Sequence, residues 1–209
     1  MAANVNRQVG FKPIRHISGS PWNGAVRTYL GAAGDSTATY IGDIVMHNSL
    51  SGAVGTTVYG VNCEGLPTAT RTTGTTDGQA NVGVVVGISP DQNNLTLRHR
   101  AASTNRLLYV CVDPTVVYEC QEDADTTPIT SAMIGSCFGI LTTAGSTVTG
   151  MSSMIVNSTD IASTSTLPLK LVAMSTRVDN TLSTGTTDKT KFEFILNTGW
   201  FMPNSVGTA

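Results

Sequence analysis

The chain has 209 residues, 12% charged, 40% apolar and 6% aromatic, with a formal net charge of −2. An ordinary soluble domain carries roughly 25% charged residues; here 32 Thr and 18 Ser fill the gap. Coiled coils, strongly charged disordered chains and basic nucleic-acid modules need Lys, Arg or Glu in quantity, so the composition argues against all three, and the near-neutral balance gives no field to attract polyanions or an anionic membrane.

Residues 1–24 read as an extended N-terminal arm. Lys12 and Ser20 each precede a proline, which pushes them towards extended backbone. Val5, Val9, Phe11, Ile14 and Ile17 stand apart, without a helical stripe. The first 34 positions hold four bases (Arg7, Lys12, Arg15, Arg27) and no acid. Two readings stay open: an arm that orders itself on a neighbouring surface, or a first strand on its own domain.

From residue 25 onwards, runs rich in Val, Ile and Thr alternate with Gly, Asn, Asp and Pro clusters. They predict strands over 26–30, 40–47, 56–61, 82–88, 107–112, 115–121, 137–142, 154–157, 169–175 and 192–197. So many short strands imply one all-β domain over 25–209, a β-sandwich, jelly roll or barrel. The Thr/Gly tracts at 68–79 and 183–191 read as exposed hairpin tips or loops. The helical candidate at 130–136 is too short to matter. Between 107–112 and 115–121 stands Asp113-Pro114. A two-residue loop there makes a hairpin with Leu107 opposite Cys120, Tyr109 opposite Tyr118 and Cys111 opposite Val116, all on one face.

Motifs with chemistry are absent from the sequence. It has no phosphate-binding glycine loop, dinucleotide fingerprint, zinc-protease helix, calcium loop or nucleophile elbow; Ser136, between Gly135 and Gly139, stands one position off such an elbow. His16, His47 and His99 have no carboxylate at a spacing that implies a triad. Asp43 with His47, or Cys63 with Glu64, lacks the further ligands a metal needs. Cys63, Cys111, Cys120 and Cys137 have no metal-binding spacing and read as buried free thiols. The expectation is a protein that is not an enzyme and takes no cofactor or metal.

Arg98, Arg100 and Arg106 form the densest basic patch, without the aromatics of a nucleic-acid site. Five acids (Asp113, Glu119, Glu122, Asp123, Asp125) follow without a base. Pairing of patch and stretch, within the fold or across a subunit boundary, is the expected use. The first thirty residues have no signal-type apolar run, and no stretch has membrane-spanning length. Synthesis and retention in the cytosol, with no membrane partner, are expected.

Read in order, Ser18-Gly-Ser-Pro-Trp-Asn-Gly24, Tyr40-Ile-Gly-Asp43, Gly83-Val-Val-Val-Gly87, Arg100-Ala-Ala-Ser-Thr-Asn-Arg106, Val112-Asp-Pro114 leading to Tyr118-Glu-Cys-Gln-Glu-Asp123, Gly145-Ser-Thr-Val-Thr-Gly150 and Thr166-Leu-Pro-Leu-Lys170 resemble strings of the capsid decoration (cement) proteins of tailed bacteriophages. The resemblance implies a β-rich protein of the outer capsid surface of the virion, assembled in the host cytoplasm. It further implies binding to the major capsid protein lattice after expansion, self-association, here as a homotrimer, and no catalytic task. On that reading Arg7, Phe11, Lys12, Arg15 and Trp22 are expected to touch the capsid. Arg98, Arg100 and Arg106, with Glu119, Glu122 and Asp123, are expected at the subunit interface. The alternative is a tail or head-fibre adhesin whose exposed loops bind a host-surface receptor.

Overall fold

A computed structural model describes residues 4–74, 81–123, 125, 127–163, 167–182, 189–197, 199 and 201. Its strands form a closed barrel and an open sheet. The barrel runs β2 (Arg27–Gly31), β6 (Pro67–Arg71), β3 (Ile44–Ser51), β7 (Asn81–Ile88), β8 (Arg106–Cys111) and back to β2. The sheet has six strands in the order β1 (Lys12–His16), β9 (Val116–Gln121), β13 (Lys191–Leu196), β12 (Leu169–Met174), β10 (Cys137–Leu141), β11 (Ile155–Ala162). A small hairpin, β4 (Thr57–Val58) with β5 (Val61–Asn62), and a single 3-10 turn at Ser131–Met133 complete the described elements. The all-β class expected from the sequence is the class found.

Alternation along the strands decides which layer each side chain enters. Val45, Val85, Leu108 and Val110 fill the barrel with Tyr29 and Ala69. Their neighbours Ile44, Val84 and Cys111 point outward and pack against the sheet. The sheet answers with Val116, Tyr118 and Cys120 from β9 and with Phe192, Phe194 and Leu196 from β13. Phe194 stands edge-on to both Phe138 and Phe192, with ring centroids 6.1 and 6.4 Å apart, the offset geometry that aromatic quadrupoles favour. The main core therefore lies between barrel wall and sheet. All four cysteines are buried and free.

The hairpin expected at Asp113-Pro114 does not form. β8 pairs with β2 and β7 in the barrel, whereas β9 pairs with β1 and β13 in the sheet. Tyr109 lies opposite Thr28 and Gly87; Tyr118 lies opposite Pro13 and Phe194. The turn itself explains this. The Asp113 carboxylate accepts the Thr115 N–H at 2.8 Å and its hydroxyl at 2.7 Å, an Asx turn that redirects the chain, and Ile17 N–H fastens the corner to the Thr115 carbonyl at 2.7 Å. β6 begins at Pro67 and runs into the tract read as a loop, where no strand was expected, and β1 realises the first-strand alternative for the N-terminus. Most of the second tract, 183–188, lies outside the described residues.

Candidate functional site

The N-terminal segment is extended, and it is stitched to its own chain from Asn4 onward. The buried Asn4 amide donates to the Thr181 carbonyl at 2.8 Å and to Thr190 Oγ1 at 3.2 Å. Gln121 accepts the Arg7 N–H at 2.8 Å and donates to Asn6 Oδ1 at 3.0 Å. The segment then crosses the entry to β3, where Phe11 N–H donates to the Gly42 carbonyl at 2.9 Å. Two glycines permit the crossing. Gly10 and Gly42 have φ of 68° and 95°, and a Cβ at Gly10 would strike the Gly42 carbonyl, one at Gly42 the Val9 carbonyl. Both are left-handed conformations that side chains disfavour. This crossing delivers Phe11 into the main core, where it is 1% exposed.

A groove of about 690 Å³ opens beside the crossing. Val9 and Pro13 of the segment, Trp22 and Val26 of its return, Ile41, Met151, and Val86 and Tyr109 of the barrel wall make it apolar. Arg7 and Lys12 stand on its lip, and Glu119, Arg177 and Lys191 line it at the sheet end, where Arg177 pairs with Glu119 at 3.1 Å. Of the five residues expected to touch a capsid, four line this groove: Arg7, Phe11, Lys12 and Trp22. Phe11 contributes from below as a core residue. Burial in its own chain removes it from direct contact with a partner, which corrects the expectation for that residue. Arg15 is not a lining residue. It makes a two-pronged pair with Glu193, Nη1 to Oε1 at 3.0 Å and Nη2 to Oε2, and Glu193 is 3% exposed.

Of the expected subunit-interface set, Arg100, Arg106 and Glu122 are corrected, because they are buried and used inside the chain. Arg100 is fully buried and pairs with Asp35 at 3.1 Å; Arg106 is 1% exposed and pairs with Asp91 at 3.1 Å. Neither meets the 113–125 acids. Glu119 takes Arg177 at 3.1 Å and the Ser175 hydroxyl at 2.6 Å. Glu122, buried, accepts the N–H groups of Ile129 at 3.0 Å and Thr190 at 3.3 Å; burial raises its pKa. Asp123 accepts the Ser158 hydroxyl at 2.7 Å. Only Arg98 of the three patch arginines is exposed.

The reactive groups are sheltered. Burial pushes the thiols of Cys111, Cys120 and Cys137 up, which keeps them protonated and poor nucleophiles. His99 stacks on Tyr40 with ring centroids 4.9 Å apart, and burial, helped by Arg106, lowers its pKa and favours the neutral ring. Asp43 accepts the Ser152 hydroxyl at 2.6 Å and the Tyr40 N–H at 2.8 Å; burial nevertheless raises it to about 6. Among the described residues no group of three or more His, Cys, Asp or Glu is placed to hold a metal ion. What the arrangement offers is recognition: an apolar recess with a basic lip.

Ile41, Val86, Tyr109, Met151, Arg177 and Lys191 were not anticipated as lining residues. They come from distant elements, and the alternation of a strand does not say which side chains meet across two sheets. Gly42 within Tyr40-Ile-Gly-Asp43 was the one local signal, since a glycine just before a strand marks a close backbone approach.

Barrel, sheet and recess define the class as an all-β barrel-and-sheet protein with an apolar groove along its N-terminal segment. No protein-family model, no curated protein and no solved structure matches the chain.

Proposed function

We propose that the chain is a structural virion protein that decorates the outer surface of a tailed-phage capsid, cementing the lattice of the major capsid protein as a homotrimer. The observation that carries the reading is the groove. Arg7, Lys12 and Trp22, three of the five residues expected from sequence to touch a capsid, line it beside apolar walls open to solvent. The remaining chemistry agrees with a surface meant to be covered. Buried ionisable groups such as Arg100, Arg106, Asp43 and Glu122 are ion-paired or hydrogen-bonded inside the chain, and a surface rich in Thr and Ser makes close hydrogen-bonded contact without desolvating ions. A stable contact buries about 800 Å² per partner, and an oligomer that makes several weaker contacts gains through effective concentration.

Co-sedimentation of the purified protein with expanded and with unexpanded shells tests the proposal. Saturable binding to expanded shells, weak or absent on unexpanded ones, is expected. Failure to bind expanded shells overturns it.

A further inference from the structure

We infer that the groove is the docking site for an extended segment of a partner protein in which apolar side chains are flanked by carboxylates. The inference rests on the cement reading only for the identity of that partner, the capsid protein. Three observations lead to it.

First, the walls present apolar surface to water. Val26 is 41% and Met151 37% exposed, and Trp22, Ile41, Val86 and Tyr109 are half-buried. Clustered exposure of this kind marks a surface that a partner covers, and the volume falls within the range of roughly 300–1,000 Å³ typical of ligand clefts.

Second, the lip carries charge that the chain does not neutralise. Arg15, Arg100, Arg106 and Arg177 all have carboxylate partners. Arg7 and Lys12 have none among the described residues. Lys12 lies directly across from Glu119 in the β1–β9 register, but the Glu119 carboxylate is occupied by Arg177 and Ser175, while Asp179 pairs with Arg177 and Lys191. A partner carboxylate at the lip would make charge-assisted hydrogen bonds to Arg7 and Lys12, and its apolar neighbours would fill the recess.

Third, the sheet edges are partly taken up by the chain itself. At β1 the returning chain covers the edge, with His16 N–H donating to the Ser20 carbonyl at 2.8 Å. At β11 the Asp123 carboxylate accepts the Ser158 N–H at 3.3 Å. Less edge is left for an added strand, which favours recognition through side chains in the groove.

The test uses the full-length protein and fluorescein-labelled pentapeptides, read by anisotropy. Asp-Leu-Phe-Val-Asp is expected to bind, and the peptide with Asn in place of both Asp to bind at least about tenfold more weakly. The double variant Arg7→Glu with Lys12→Gln is expected to lose about tenfold or more for the acidic peptide at a nearly unchanged melting temperature, since the Arg7 backbone bond to Gln121 remains and Gln sets no like charge opposite Glu119. A second variant, Val26→Ser, checks the apolar wall without adding charge and is expected to weaken both peptides. No binding of the acidic peptide up to about 1 mM, equal binding of the Asn peptide, insensitivity to the charge reversal, or tighter binding of oligo-dT overturns the inference. The same proteins on expanded shells separate the two proposals. A charge-reversed variant that sediments like wild type overturns the docking site alone. A wild type that binds the peptide and ignores shells overturns the cement reading alone.

Discussion

Arg100 illustrates how a chain with few charges uses them. Every donor of its guanidinium has an acceptor: Nε the Thr104 carbonyl at 3.0 Å, Nη1 Asp35 Oδ2 at 3.1 Å and the Thr37 carbonyl at 2.6 Å, Nη2 the carbonyls of Ala32 and Asp35. Lysine has three donors in no fixed plane, so Arg100→Lys leaves buried carbonyls unmet. A loss of about 2–4 kcal/mol in urea unfolding is expected, against almost none for Arg98→Lys at the exposed neighbour; equal effects would contradict the assignment. Asp43 gives a pH signature. Its folded pKa, raised to about 6 by burial, lies above the ordinary 3.8, so the folded state holds this proton more tightly than the unfolded one. The stability it contributes is complete below pH 4 and is lost as pH rises through 6, a change on the order of 3 kcal/mol. Glu122 is shifted the same way by burial, whereas the lowered carboxylates Asp91, Asp113 and Asp179 act below that window. His99, held neutral by burial, gains stability as pH rises towards 6.5 and acts in the opposite sense, so the signature is a difference: the melting temperature of wild type is expected to fall relative to that of Asp43→Asn as pH rises from 4 to 6. An unchanged difference would place the proton elsewhere.

At the scale of elements, the N-terminal segment is the part whose role depends most on the fold. Phe11 fills the core while Arg7 and Lys12 remain outside, and the Gly10–Gly42 crossing makes both possible. Phe11→Ala is expected to cost about 3–5 kcal/mol and to make residues 4–13 cleavable by protease under native conditions. Cleavage no faster than wild type would mean that the polar stitches at Asn4 and Gln121 hold the segment alone. The strands at 82–88 and 192–197 were legible because short runs rich in β-branched and aromatic residues read as strands buried on both faces, as they are. β6, Pro67-Thr-Ala-Thr-Arg71, was not, since Ala69 is its only buried apolar residue and its pattern resembles that of a polar tract. The false hairpin has a related cause: two adjacent strands of matched pattern reveal their faces but not their partners. The arginine partners were equally hidden, Asp35 lying 65 positions from Arg100.

At the scale of the whole molecule, the barrel and the sheet share one core, so the groove at their junction is framed by both layers. Walls carried on strands lower the ordering cost of association, which suits the proposed clamp on a lattice. The competing reading, a tail or head-fibre adhesin, places the same protein elsewhere on the particle. Quantitative mass spectrometry of the purified virion tests the central claim most directly, as the ratio of this chain to the major capsid protein. The cement account predicts a fixed ratio with copies at repeating sites across the whole shell. A ratio that confines the chain to a single vertex or to the tail would contradict it.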